Sequence, residues 1–547
     1  MNLLTLIVVA PGFAALLIWW QGTHWTPIHA ARIGAGVSVL SLLAAVVVWM
    51  SRGATTVHAG EVDYEWVPAL QIHWHLGMDG ISYCMVLLTT VLSGLCCLSL
   101  ARPPASDEAA LPDRRILIML VLVIESASLG VFTSLDLVLF FIFFELALVP
   151  MWFVITGWGD PHDPVGRRRA ATRFLLFTVL GSALMFVGFI GIAWQVGTLQ
   201  IDTLTLQAPP LTGTINLLLA VAITIGLAVK TPVWPLHIWL PDAHAKAPTV
   251  GSVLLAGVFL KLGTYGYVRI LVGILPVPTE QIGPWLAAFG VVGIVYGSLA
   301  CLRQTDLKRL IAYSSVGHMG FVALAIGTLT ASGLAAAVFI SVAHGLITGL
   351  LFFLAGWLKE RHGSSDLRAL GSGLYARTPW LAVAFAFGCI ASMGVPGLAG
   401  FWGEMLALRA AYETGPTMND AGAWTLLGIA ALGIILTTAY FSGLIRRLLQ
   451  GQPAPAETIR HLGSDDPLPG DRGSDASGRI VAAQVPDRLT RVAADDEAEV
   501  DPDADLDREE TVVTGVLVVS IVALGLIPGI LSGPIGQAVP WIIGGVR

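Results

Sequence analysis

The sequence has 547 residues, 55% hydrophobic and 12% charged, with a mean hydropathy of +0.77. Soluble domains carry about 25% charged residues, so a soluble globular enzyme is excluded and an all-α polytopic membrane protein remains. The formal net charge of −7 is local: residues 451–510 hold sixteen acids and six bases, which leaves 21 acids against 24 bases elsewhere.

A helix crosses the hydrocarbon core with about 20 apolar residues. In chain order such spans are predicted at 2–20, 29–50, 80–100, 115–133, 136–157, 170–196, 214–245, 248–272, 284–303, 308–328, 332–358, 379–413, 423–446 and 512–532, fourteen in all. The first, in MNLLTLIVVAPGFAALLIWW, lacks a basic n-region and a small-residue cleavage site, and reads as a membrane helix rather than a cleaved signal. Two spans are overlong and carry breakers, 214–245 at Thr231-Pro232 and Trp234-Pro235, and 379–413 at Gly394-Val395-Pro396-Gly397. Proline removes a helical hydrogen bond. In lipid the freed carbonyls need partners, so such breaks belong inside protein or beside water.

Spans four to eight and nine to thirteen form two five-helix sets, each with one broken helix, a pattern of inverted repeats common in ion-translocating folds. The organisation expected is helices one to three (1–113), a first repeat (114–272), a second repeat (273–450), an acidic loop (451–510) and a last helix (511–547). The loop is rich in Asp, Pro, Gly and Ala, a disordered composition, and is read as a tolerated insertion, with a docking loop as the alternative. Basic loops, such as those with Arg167, Arg168 and Arg169 or with Arg446 and Arg447, alternate with loops at 197–213, 273–283, 329–331 and 414–422 that have no Lys or Arg. The positive-inside rule then makes 451–510 cytoplasmic and puts both termini on the non-cytoplasmic side.

The chain has only five lysines among its 30 basic residues, and two of them lie deep in apolar runs. Lys261 is mid-span in GSVLLAGVFLKLGTYGYV, and Lys230 closes LLLAVAITIGLAVK at the first break. Arginine keeps its proton in a protein, whereas a buried lysine can lose it, so a site that must hold and release a proton takes Lys. The alternative is snorkelling, which suits Lys230 better than Lys261. Glu145, in LVLFFIFFELALVPMWFVI, and Glu404, in GLAGFWGEMLALRAAY, are intramembrane carboxylates, which mark proton or ion paths by default. A structural ion pair is the alternative for both. Glu125 is a weaker case, because Ser126 and Ser128 offer local hydrogen bonds, and Asp79 reads as an N-cap. His318 and His344 lie inside helices among small neighbours, and His237 and His244 flank the first break. Histidine supplies the intermediate pKa that a relay needs.

Redox cofactors are not expected on this chain. Its cysteines (84, 96, 97, 301 and 389) make no CxxC spacing and read as small buried hydrophobes. GAGVSV at 34–39 lacks the third glycine of a dinucleotide loop and sits inside a span. HIWLPDAH matches no familiar zinc spacing, so no metal is expected, nor is a nucleic-acid partner.

The motifs FFELALVPMWFVI, KTPVWPLHIWLPDAHAKAPTVGSVLLAG, TDLKRLIAYSSVGHMGF and GVPGLAGFWGE resemble those of the antiporter-like proton-channel subunits of complex I, over spans three to fourteen. Within that family Glu404 fits the M type of bacterial NADH–quinone oxidoreductase, because the L and N types usually carry Lys there. The acidic loop departs from the usual M pattern. The resemblance implies a fourteen-helix body with two inverted five-helix repeats and a polar path along the membrane midplane. It implies that Glu145 pairs with Lys230, that Lys261 is the central relay, and that His318 and His344 link it to Glu404; His237 joins the candidates from its place at the break. It further implies a hetero-oligomer in the bacterial cytoplasmic (inner) membrane, with L-type and N-type neighbours and with flavin and iron–sulfur clusters on partner subunits. A Na⁺/H⁺ antiporter subunit and the membrane subunit of an energy-converting hydrogenase are the alternative functions.

Overall fold

Polar residues stand at the points where apolar runs become helices. Asp79, Asp113, Asp136, Asp306 and Asp507 each accept backbone N–H groups from the first turn that follows, which satisfies donors that would otherwise be stranded at the edge of the hydrocarbon. The computed structural model describes residues 2–53, 56–102, 111–206, 211–413, 420–450 and 504–544. The helices are α1 (Leu3–Gln21), α2 (Pro27–Met50), α3 (Gly80–Ser99), α4 (Arg114–Thr133), α5 (Leu137–Trp158, interrupted at Ala147), α6 (Pro164–Val196), α7 (Ile201–Leu206), α8 (Thr214–Lys230), α9 (Leu240–Lys246), α10 (Thr249–Val272), α11 (Pro276–Arg303), α12 (Leu307–Gly327), α13 (Ala331–His362), α14 (Pro379–Ser392), α15 (Ala399–Glu413), α16 (Asp420–Leu449), α17 (Arg508–Leu526) and α18 (Gly529–Gly544).

Among the described residues, twelve helices are long and apolar enough to cross a membrane. The two spans predicted to be broken are present as half-helices, α8 with α9 and α14 with α15. At the first break the backbone finds new partners: Trp239 donates its indole N–H to Val229 O at 3.0 Å, and Val233 N–H donates to Ala228 O at 2.9 Å. This is the internal satisfaction that a break at membrane depth requires. Helices α10 and α13 are enclosed by the others, whereas α1, α2 and α6 turn large apolar side chains such as Trp20, Leu40 and Leu180 outward, as a lipid-facing surface demands.

Several elements differ from expectation. Residues 59–78 form an antiparallel hairpin, β1 (Ala59–Val67) and β2 (Ile72–Met78), within a body predicted to be wholly helical. The strands are short and partly polar, so a 20-residue hydropathy window passes over them. Helix α18 follows the predicted last span as a separate element. Residues 451–503 of the acidic segment lie outside the described residues, but its end, taken as loop to 510, is docked. Asp505 accepts from the N–H groups of Trp380 and Leu381 at 2.9 Å, and Glu510, inside α17, is gripped by Arg102 and Arg361.

The basic loops meet on one face. Arg102 reaches Glu360, Arg173 and Arg309 share Asp242, and Lys246 and Lys359 share Asp160. The hairpin is on the opposite face, where Asn2 donates to Gly60 O and Glu61 O.

Candidate functional site

Lys261 sits on α10, the helix whose hydrogen bonding widens to π-turns over Leu255–Phe259 and Tyr267–Val272. Such bulges recur at functional sites. Glycines let the neighbouring helix close in: a Cβ on Gly345 of α13 would meet Gly257 O at 3.0 Å. The result is that Lys261 Nζ lies 2.5 Å from Ala256 O and 2.7 Å from His344 Nδ1, with the lysine wholly buried. His344 Nε2 has no protein partner.

From His344 the protonatable groups continue across α12 to the second break. The His344 and His318 rings are 5.6 Å apart, centroid to centroid. His318 Nε2 is 3.1 Å from Ser392 Oγ at the end of α14, and its Nδ1 is 3.5 Å from Glu404 Oε1 on α15. These groups, with Thr348 and Gly400, line a cavity with about 20 Å³ open to the centre of a water molecule, enough for one water with several polar partners. The break itself shapes the acid's position. Gly394, at φ +71°, leaves room that a Cβ would take, 2.5 Å from Glu404 Oε2.

On the other side, Lys230 ends α8 between two rings, its Nζ 4.3 Å from the Phe144 centroid and 4.8 Å from that of Phe259. Its ammonium has no hydrogen-bond partner among the described residues, and neither has Glu145 Oε1. The expected Glu145–Lys230 pair is therefore not closed by a direct bond, although both ends are present next to Phe144. Helix α8 packs tightly on α10, since a Cβ on Gly263 would fall 2.2 Å from Thr231 Oγ1. This packing places the residue after Lys230 two positions from Lys261 on the neighbouring helix.

Other residues named from the sequence have different surroundings. His237 packs against the Tyr296 and Tyr313 rings at 5.0 and 6.4 Å. Glu125 is fully buried and takes its hydrogen bond from Ser38 of α2, 2.7 Å away; Ser126 and Ser128 donate to backbone carbonyls instead. Asp79 is the N-cap expected, and also pairs with Arg269, both side chains 1% exposed. His244, expected at the break, is fully buried, stacked 4.4 Å from Phe352, with both ring nitrogens unpartnered among the described residues; Lys308, which sequence reasoning passed over, is buried too and donates its ammonium to Ala247 O. Both lie in the quoted motifs, but only the fold shows that they are buried.

The fold and these buried groups define a multi-pass membrane protein that holds protonatable side chains in contact inside its helix bundle. The family described as NADH:quinone oxidoreductase/Mrp antiporter, TM, matches residues 134–432. Subunit M of NADH-quinone oxidoreductase from Rhodobacter capsulatus is 40% identical over 403 residues, covering 71% of this chain and 74% of that one. A chain of respiratory complex I from Thermus thermophilus superposes with a TM-score of 0.79 at 26% identity, over 98% of this chain and 99% of its own. A chain of the Mrp complex from Dietzia sp. DQ12-45-1b shares the fold, with a TM-score of 0.77 at 22% identity, over the whole of both chains. This chain belongs to the NADH:quinone oxidoreductase/Mrp antiporter family, as an antiporter-like subunit of the complex I M type.

Proposed function

We propose that this chain is the proton-translocating membrane-arm subunit of a respiratory NADH–quinone oxidoreductase and carries no redox chemistry itself. Its protons pass between Glu145 and Lys230, then Lys261, then His344 and His318, then Glu404. The observation that carries this reading is the contact of Lys261 Nζ with His344 Nδ1 at 2.7 Å, continued to Glu404 through His318. A lysine held out of water releases its proton when a nearby carboxylate is neutralised or moved away. Moving one charge against 100 mV costs about 2.3 kcal/mol, which a shift of roughly two pKa units covers.

In this reading redox chemistry on partner subunits, which hold flavin and iron–sulfur clusters, switches the Glu145–Lys230 end. L-type and N-type subunits flank the chain in a bacterial cytoplasmic membrane, with the basic-loop face cytoplasmic and both termini on the other side. The test is Lys261→Ala in the assembled complex, scored for NADH-driven proton uptake by inverted vesicles. Loss of uptake with assembly intact is expected; full uptake by the assembled variant overturns the relay.

A further inference from the structure

The hairpin face carries a second cluster of ionisable side chains that the relay does not use. Glu61 of β1, His75 of β2 and Asp202 of α7 each bring one ligand atom within 4.8 Å of the other two, the one such group of three among the described residues. They come from separate parts of the chain, so no spacing motif announces them.

The tautomer of His75 is set by its neighbours. Asp136 is an acceptor, so the Gln200 amide beside it donates from Nε2 at 3.3 Å and turns its carbonyl oxygen to His75 Nδ1. His75 therefore donates from Nδ1. Its Nε2 faces Glu61 Oε1 at 3.1 Å. In a neutral imidazole that nitrogen is a lone pair, and a lone pair that close to a carboxylate oxygen is repulsive unless positive charge lies between them. A second ring proton would serve for these two groups, whereas a cation would serve for all three. Asp202 also turns to this point, while His58 Nε2 sits 3.1 Å from its carboxylate. Besides the two carboxylates, the charged or titratable groups at the cluster are His58, against Asp202, and the Asp79–Arg269 pair nearby.

We propose that Glu61, His75 and Asp202 bind a divalent first-row cation, Zn²⁺ fitting best, which clips the hairpin to α7. One imidazole nitrogen and two carboxylate oxygens are ligands that Zn²⁺ takes at about 2.0–2.2 Å, with a fourth position left for water. Ligand atoms of such a tetrahedral site lie about 3.3 Å apart. The half-exposed Glu61 side chain, 50% accessible, is free to supply most of the adjustment. A metal-bound histidine usually donates its far N–H to a carbonyl or carboxylate, as His75 does to Gln200. Mg²⁺ and Ca²⁺ prefer oxygen throughout. The clip bears on the segment whose Gln200 holds Asp136, the N-cap of the helix that carries Glu145.

The test uses the assembled complex, washed with EDTA, titrated with ZnCl₂ and desalted. Retained zinc is then counted for wild type, His75→Ala, Asp202→Asn and Glu61→Gln, with NADH oxidation reporting assembly. Wild type is expected to hold one more zinc per complex than His75→Ala or Asp202→Asn. Glu61→Gln, at an exposed position that leaves folding intact, is expected to retain less zinc than wild type, and excess Ca²⁺ should not displace the zinc. Equal zinc in wild type and Glu61→Gln overturns the site, as does displacement by Ca²⁺ or a protonated His75–Glu61 pair that retains no metal.

Discussion

Lys261 Nζ and His344 Nδ1 stand 2.7 Å apart. Both atoms are nitrogen bases, so one of them must present a proton to the other. Lys261 also donates to Ala256 O, which leaves His344 as its only protonatable partner among the described residues. Lys261→Arg keeps the charge but cannot release it. NADH-driven proton uptake is therefore expected to fall at least roughly tenfold in Lys261→Arg as well as in Lys261→Ala, as for other lost proton-transfer groups. Vesicle uptake in both variants, normalised to assembled complex, checks this; wild-type pumping by Lys261→Arg would show that a fixed charge is sufficient.

At the second break the backbone conformation and the acid are linked. A methyl on Gly394 would sit 2.5 Å from Glu404 Oε2, at a φ of +71° that L side chains adopt with difficulty. Gly394→Ala should thus move the carboxylate away from His318 and strain the turn by about 1–2 kcal/mol. It is expected to reduce proton uptake in the same direction as Glu404→Gln, without adding to it in the double variant. Additive losses, measured on the same vesicles, would mean that Gly394 acts apart from Glu404.

Much of this was legible in the sequence because lipid imposes simple rules. Span length and apolar content located the long helices, and paired prolines or glycines located the two breaks. Lys261, His318, His344 and Glu404 stood out singly, as ionisable residues in apolar runs. Their linkage followed only from the family resemblance and not from the residues themselves, since Lys261 and His344 are 83 residues apart and meet where α10 and α13 approach closely at Gly257 and Gly345. The same limit hid Ser38 as the partner of Glu125, 87 residues away, and concealed Arg269, whose neutralising acid lies on α3. The hairpin escaped because a search for apolar length does not see a short strand pair.

Outside the membrane body, Asp160 joins the loop after α5 to α9 and α13 through Lys246 and Lys359, at 3.3 and 3.0 Å. Burial raises its carboxyl, but the two ammonium groups outweigh that and hold it below its ordinary 3.8. A depressed carboxylate contributes stability that is fully present above its unfolded value and is lost as pH falls through the folded one. Asp160→Asn is expected to lower the melting temperature of the complex at neutral pH. The gap from wild type should stay constant down to the ordinary carboxylate range and close below it. Melting curves across that range check the sign, and a gap that widens on acidification contradicts it.

The Asp79–Arg269 pair offers the sharpest separation of roles. Asp79 caps α3 through the N–H groups of Ile81 and Ser82, and its other oxygen meets Arg269, which also reaches the Tyr265 hydroxyl at 3.2 Å. Asparagine caps helices as well as aspartate does, so Asp79→Asn keeps the cap while leaving a buried guanidinium without its counter-charge. Arg269→Met leaves the opposite charge uncompensated. Breaking a buried pair from one side costs about 3–5 kcal/mol, whereas replacing both partners can be nearly neutral. Each single variant is therefore expected to impair assembly or lower the melting temperature strongly, and Asp79→Asn with Arg269→Met to recover much of the loss. If the double variant is as damaged as the sum of the singles, the pair does not act as a unit, and the unpartnered Arg269 Nη1 becomes the feature to explain.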